Sequence, residues 1–355
     1  MAPHVPPADR ISPGAPRLKD VAVRAGVSIK TVSNVVNGYA HVSPRMRSRV
    51  LSAIEELNYH PNLAARSLRR GRTGVIAIEI PTLRLGYFTE LAEQVVEAAG
   101  RRGYLVLLDH TGGGRAQEER LARGLQPLLI DGAIMNPLTL ARRELRAAAS
   151  GISIVLLGER EFPGLYDHVS IDNVAAARLA AEHLLQLGRR RIAALGLDPG
   201  PQAGATIQRR WEGFSRTLEE AGVRIDPAWV LPGVDRGRVD GLAHARALLA
   251  RTGPVPDAFF CFNDTVALGA MRGLHEAGLR VPDDVAVIGF DDLEDGRVTT
   301  PSLSSISPDK ARIAELVVGL LADRISGQRT GPGEELTVEH RLMARESTLG
   351  GTLPA

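Results

Sequence analysis

The chain of 355 residues has one cysteine, Cys261, which excludes an internal disulfide and any multi-cysteine metal site. Lysine is almost missing as well. Only Lys19, Lys30 and Lys310 stand among 43 basic residues, and we attach no function to that bias. Aromatic residues make up 4% of the chain, and no apolar run approaches the ~18 residues that a membrane span needs. The opening MAPHVPPADRISPGAPR lacks an apolar h-region, so a secretory signal is not expected and the chain is expected in the cytoplasm. Catalytic signatures are missing too: there is no GxSxG elbow and no HExxH. Thr111-Gly112-Gly113-Gly114 lacks the Lys-Ser/Thr pair of a phosphate loop and reads as an ordinary loop. His110, His168, His183, His244, His275 and His340 are scattered singly, as surface or satisfied residues are. No cofactor and no metal are expected, and the chain is not expected to be an enzyme.

The charge that is present is unevenly placed. Residues 1–72 carry 12 basic and 4 acidic side chains, a balance of +8, and the remainder carries 31 and 37, a balance of −6. A basic head on an acidic body points to a polyanion partner for the head alone. Residues 1–17 hold five prolines and no hydrophobic period, the composition of a disordered arm. Helical segments follow at Leu18–Ala25, Ile29–Val36 and Pro44–Leu57, the last opened by the Ser43-Pro44 cap. From Val75 on, short apolar strands alternate with amphipathic helices, the pattern of parallel sheets covered on both faces. About ten strands over ~270 residues exceed one comfortable sheet, so two Rossmann-like subdomains with a cleft between them are expected.

Leu18–Ser33 meets the requirements of a helix-turn-helix. Ala22 is the small residue at the helix crossing, Gly26 the turn, and Val21, Val27 and Val32 a miniature core. Ser28 caps the second helix and leaves Ile29, Lys30, Ser33 and Asn34 on or near its exposed face, suited to a major groove. The competing reading is two surface helices of a structural bundle; the turn glycine, the cap and the local charge weigh against it.

The run LKDVAVRAGVSIKTVSNVVNG…HVSPRMRSRVLSAIEELNYHPNLAARSL resembles the DNA-binding head of the lactose repressor/galactose repressor (LacI/GalR) family. The resemblance continues through Asp131-Gly132, Ser170-Ile171-Asp172-Asn173, Arg191-Ile192-Ala193, Cys261-Phe262-Asn263-Asp264 and Val287-Ile288-Gly289-Phe290-Asp291-Asp292, and covers roughly residues 17–347. It implies an α/β fold class: an N-terminal all-α helix-turn-helix head plus hinge helix, then two Rossmann-like α/β subdomains of the periplasmic-binding-protein type. The expected domains are a disordered arm (1–17), the DNA-binding domain (18–60), a hinge helix and linker (61–73), a core (74–347) and a tail (348–355). Within the core, one subdomain is expected over about 74–173 plus 304–334 and the other over about 174–303 plus 335–347.

The resemblance also assigns roles. Ile29, Lys30 and Asn34 fall at base-reading positions, and Ser28, Thr31, Ser33, Asn37 and His41 at phosphate-contacting ones. Asn34 stands where the best-known members carry Arg, which leaves the half-site sequence open. Ala65, Leu68 and Arg69 match the hinge helix that enters the minor groove, with Leu68 as the wedge. Tyr87, Phe88, Arg210, Asn263, Asp264 and Asp291 match effector-contacting positions, and Glu159 and Arg160, after another strand, are expected to add polar contacts. Where the family usually has an aromatic after Leu231-Pro232-Gly233, this chain has the polar stretch Asp235–Arg238, which favours a polar ligand. Asp291, Asp292, Glu294 and Asp295 are expected to line a cleft or cap a segment rather than bind metal.

The function implied is a homodimeric, ligand-responsive transcription factor, a repressor by preference. It binds double-stranded operator DNA under the control of a small polar effector, a sugar or sugar derivative, that acts as inducer or co-repressor. The tail carries no leucine heptads for a tetramer. A sugar-binding transport protein would explain the body but leaves residues 18–72 without a role; a sugar-processing enzyme would need an acid/base set that is not visible; a positive-acting regulator remains open.

Overall fold

The computed structural model describes residues 16–36, 39, 41–59, 72–123, 129–148, 152–159, 162–197, 204–233 and 237–350, which fall into two units divided at Thr73/Gly74. The expected arm up to residue 15, Asn37, the hinge positions Ala65, Leu68 and Arg69, Arg160 and Asp235 lie outside the described residues.

Among its described residues the first unit holds α1 (Leu18–Ala25), α2 (Ile29–Val36) and α3 (Pro44–Glu56). Its core is Val21, Ala22, Ala25, Val32, Val35, Val50, Ala53 and Tyr59, all buried; Val27 packs at its margin. The turn between α1 and α2 needs a left-handed residue, and Gly26 supplies it at φ 61°. Ser43 Oγ accepts the Met46 N–H at 3.4 Å and so caps α3 ahead of Pro44.

The second unit holds two six-stranded sheets. The first runs β11-β5-β4-β3-β1-β2, all parallel, from β1 (Val75–Ile80), β2 (Leu105–His110), β3 (Gly132–Met135), β4 (Ser153–Leu157), β5 (Asp167–Ile171) and β11 (Glu335–Val338). It is covered by α4 (Gly86–Arg101), α5 (Arg115–Ala122), α6 (Arg142–Ala148) and α12 (Lys310–Ser326), and forms lobe 1. The second sheet runs β12-β10-β9-β8-β6-β7, from β6 (Ile192–Leu195), β7 (Val230–Leu231), β8 (Ala258–Cys261), β9 (Ala286–Phe290), β10 (Ser304–Pro308) and β12 (His340–Met343). Only β12 is antiparallel to its neighbour. With α7 (Asn173–Gln186), α8 (Ala205–Glu220), α9 (Arg238–Leu249), α10 (Asp264–Glu276), α11 (Glu294–Arg297) and α13 (Glu346–Leu349) it forms lobe 2.

The lobe boundaries expected at 304 and 335 are corrected. Residues 304–308 are β10 and belong to lobe 2, while 335–338 are β11 and belong to lobe 1, so the chain crosses near Asp172, Asp309 and Glu339. The serine-rich β10 has no apolar run to mark it as a strand. The lobe change coincides with a helix cap: Asp309 Oδ1 accepts the Arg312 N–H at 2.9 Å, as Asp172 Oδ1 does for Ala175 at 3.0 Å. The tail expected from 348 also begins too early. Ser347 and Thr348 are buried, and the Thr348 hydroxyl meets His183 Nε2 at 2.8 Å, so α13 is part of lobe 2.

Helices α9 and α10 press together with glycine on both sides. A Cβ at Gly269 would lie 1.9 Å from the Arg238 carbonyl oxygen, and one at Gly241 2.0 Å from that of Val266. Gly269→Ala is therefore expected to cost about 1–3 kcal/mol and lower the melting temperature of the body in thermal denaturation followed by circular dichroism; an unchanged melt would show that the helices separate without penalty.

Candidate functional site

In the head, α2 presents one face outward. Ile29 is 50% exposed, Lys30 and Ser28 are exposed, and Thr31, Ser33 and Asn34 are half-buried beside them. Val32 and Val35 face the core, so Ile29, Lys30, Ser33 and Asn34, one turn apart in pairs, share the side away from it. The Ser28 hydroxyl accepts the Thr31 N–H at 3.0 Å and bonds the Thr31 hydroxyl at 2.9 Å, which gathers both hydroxyls at the helix start. His41 is exposed on the loop before α3. The arrangement offers donors and a thymine-sized apolar contact on the side of α2 turned away from the core.

In the body, a cleft of about 1250 Å³, counting its open mouth, lies between the carboxyl ends of the two sheets, where open α/β sheets bind ligands. Five of the six expected effector residues line it: Tyr87 and Phe88 from lobe 1, and Arg210, Asn263 and Asp291 from lobe 2. Helix α4 begins at Gly86, so Tyr87 and Phe88 stand on its first turn, edge to face at 5.3 Å between ring centroids. Burial, with Asp291 near, pushes the Tyr87 phenol well above its ordinary range.

Arg210, on the second turn of α8, is the polar centre of the lobe 2 wall. Its Nε donates to Asn173 Oδ1 at 2.7 Å, Nη1 to the Phe262 carbonyl at 2.5 Å and Nη2 to Asp291 Oδ1 at 3.5 Å. The guanidinium carbon lies 3.4 Å from the Phe290 ring centroid. Asn173 donates in turn to Glu159 Oε1 at 2.5 Å, and Glu159 faces Arg209 at 3.7 Å. Asp291 follows β9 with φ 109° and Asp292 with φ 50°, left-handed conformations that cost a non-glycine residue energy and cluster at ligand clamps. Burial raises the Asp291 carboxyl to about 6 against the pull of Arg210 and Lys310. Lys310 ties the lobes at the cleft rim, donating to the Asp291 carbonyl at 2.5 Å and pairing with Glu90 of α4 at 2.9 Å.

Asp264 is corrected: it does not line the cleft. Its side chain is buried behind β9, where Oδ1 accepts the Ser305 hydroxyl at 2.7 Å and Oδ2 the Leu293 N–H at 2.7 Å. It starts α10 immediately after Asn263, whose Oδ1 caps that helix by accepting the Val266 N–H at 2.8 Å, and the helix turn sends the two side chains apart. Asp292 is also structural, held by Arg345 at 2.6 Å and Arg297 at 2.9 Å. Among the described residues no group of His, Cys, Asp and Glu could hold a metal ion, and no helix is long and apolar enough to cross a membrane.

The cleft also takes residues that sequence reasoning left out: Glu79, Asn136, Ser170, Asn173 and Thr206. Ser170 and Asn173 sit in a motif that carried the resemblance. Glu79 had a signal of its own, as the one charge in the apolar run Val75–Ile80 that forms β1. It is 2% exposed and accepts the Thr111 hydroxyl at 3.1 Å and the Asn136 N–H at 3.2 Å. Burial, and next the Glu118 carboxylate, raise it to about 8. A folded-state value above the unfolded one means stability is progressively lost as pH rises from about 4.5 through about 8. Glu79→Gln, which stays neutral, is expected to melt like the parent at pH 5 and later than it at pH 8, by on the order of 1–4 kcal/mol; a difference that does not widen with pH would place a charged Glu79 in the fold.

Comparison with known proteins bears on both units. Residues 17–62 match the family described as bacterial regulatory proteins, lacI family, and residues 181–348 match the periplasmic binding protein-like domain. The chain is 35% identical over 336 residues to the HTH-type transcriptional repressor PurR of Haemophilus influenzae, covering 93% of this chain and 98% of that one. Among solved structures it resembles the lac repressor dimer bound to operator and the anti-inducer ONPF, with 29% identity, TM-score 0.78 and coverage of 95% and 100%. It also resembles a complex of the transcriptional regulator CelR with cellobiose, with 33% identity, TM-score 0.67 and coverage of 94% and 99%.

Proposed function

Because the chain belongs to the LacI family of bacterial regulators, as a DNA-binding transcriptional repressor with a ligand-binding domain, we propose that its operator affinity is set by a sugar or sugar derivative held between the two lobes. The relatives it matches are repressors rather than enzymes. The observation that carries the reading is the Arg210–Asp291 pair with Asn263 on one wall of the cleft and the Tyr87–Phe88 pair on the other. Fixed donors and acceptors suit vicinal hydroxyls, and aromatic faces suit the C–H faces of a sugar ring. A ligand of that class, cellobiose, is bound in the CelR structure.

In this reading two copies act together. Ile29, Lys30 and Asn34 read base edges, and Ser28, Thr31, Ser33, Asn37 and His41 hold phosphates of each half-site. Ala65, Leu68 and Arg69 enter the minor groove at the centre of the operator. The homodimer is supported by the lac repressor dimer and by the edge strand β2, whose Leu105, Leu107 and Leu108 are 62%, 43% and 45% exposed beside a 51% exposed Val96. An apolar sheet edge of this kind calls for a cover. The effector changes the angle between lobes that are tied at Lys310, and a coupling of about 1–3 kcal/mol would give roughly 5–150-fold control of operator affinity.

Selecting bound genomic fragments with the purified full chain tests the reading. A near-palindromic site beside sugar uptake or catabolic genes is expected, with affinity that falls steeply as salt rises; fragments without repeated half-sites would overturn the dimeric reader. Arg210→Ala is expected to abolish the response of that operator complex to sugars while leaving basal operator binding within about twofold. A normal response would put the effector elsewhere.

A further inference from the structure

The two polar ends of the cleft differ in charge balance. At the Arg210 end, each carboxylate has a cation: Asp291 of lobe 2 has Arg210, and Glu159, which follows β4 of lobe 1, faces Arg209 across the lobes. At the other end, Glu79 lines the cavity from the end of β1, and the charged groups acting on it are the acids Glu118 and Asp109. Asp109 is answered by Arg120 at 3.2 Å. Glu118 is fully buried and takes hydrogen bonds from Leu138 N at 2.9 Å, Thr139 N at 3.0 Å, Thr139 Oγ1 at 2.8 Å and Leu140 N at 3.1 Å, which occupy both its oxygens. Glu79 receives two neutral donors, Thr111 Oγ1 and Asn136 N, and keeps acceptor capacity on the wall of the cavity. Glu79 and Glu118 are both buried, the second lies near enough to act on the first, and among the described residues neither forms an ion pair. A buried acid without a cation is expensive to ionise, and a ligand that brings the cation removes that cost.

We propose that Glu79 selects the chemical class of the effector: the sugar that the cleft takes carries a protonated amine, and that ammonium group sits on the Glu79 carboxylate. This rests on the cleft being the effector site. On binding, the Glu79 carboxyl gives its proton to solvent, the ammonium keeps its own, and an ion pair forms where a neutral acid stood. A sugar with hydroxyls alone would leave Glu79 protonated and gain nothing from it.

Isothermal titration of the full chain at pH 7 with the matched probes D-glucosamine and D-glucose, and D-galactosamine and D-galactose, tests the proposal. Running each in two buffers of different ionisation enthalpy counts protons. An amino sugar is expected to bind at least about tenfold more tightly than its hydroxyl partner and to release roughly one proton. Glu79→Gln, which keeps the shape and neutral hydrogen bonding of the protonated acid, is expected to erase both the preference and the proton release. A hydroxyl sugar that binds as tightly as its amino partner, or a preference that survives in Glu79→Gln, overturns the proposal. Arg210→Ala separates the two readings: hydroxyl-sugar binding lost there but kept in Glu79→Gln sinks the amine assignment alone. Sugar binding untouched by Arg210→Ala sinks the cleft reading beneath it. Failure of all four probes to bind rejects the amine assignment together with the sugar class.

Discussion

A single buried guanidinium organises the lobe 2 wall of the cleft. Arg210 reaches the start of α7 through Asn173, the end of β8 through the Phe262 carbonyl and the end of β9 through Asp291. These are three separate chain segments, and their carboxyl-end geometry is what a ligand meets. A cation buried this far is tolerable only because each of its nitrogens has an acceptor and its face lies on Phe290. The strained backbone at Asp291 and Asp292 is held by the same network, with Lys310 fastening their carbonyls from the other lobe. The polar wall of the cleft and the strained backbone after β9 therefore share one set of hydrogen bonds.

Much of this was legible in the sequence because local rules and burial agree. The head follows directly from Gly26, the Ser28 cap and the valine spacing, and α1 and α2 have the expected ends. The apolar strands β1, β3, β4, β6, β8 and β9 stand out because parallel central strands are covered on both faces. What escaped was polar or brief. Strand β5, with its buried Asp167 and His168, owes its burial to partners far along the chain: Arg324 and Arg329 for the first, Glu335 and the Gly158 carbonyl for the second. No periodicity announces such pairing. Strand β2 misleads in the opposite direction, since its leucines read as core and lie open at a sheet edge.

The candidate cleft shows the same division. Aromatic and arginine positions carried by the resemblance came together, whereas Asp264 did not, because consecutive residues at a helix start point to different sides. Glu79 was visible only as an oddity, one acid in an apolar strand. Its meaning depends on Glu118 and Asn136, which arrive from other elements.

The interleaving of the two lobes along the chain has a consequence for biosynthesis. Lobe 1 lacks β11 and its covering helix α12 until after β10 of lobe 2 has been made, and lobe 2 lacks β12 and α13 until the last residues. Neither sheet can be finished while the ribosome is still short of the C-terminal segment, so non-local pairing must wait for nearly the whole chain. The head has its described core residues, from Val21 to Tyr59, among the first sixth of the sequence to emerge. A nascent chain thus carries the packed core of its helix-turn-helix long before it owns the cleft.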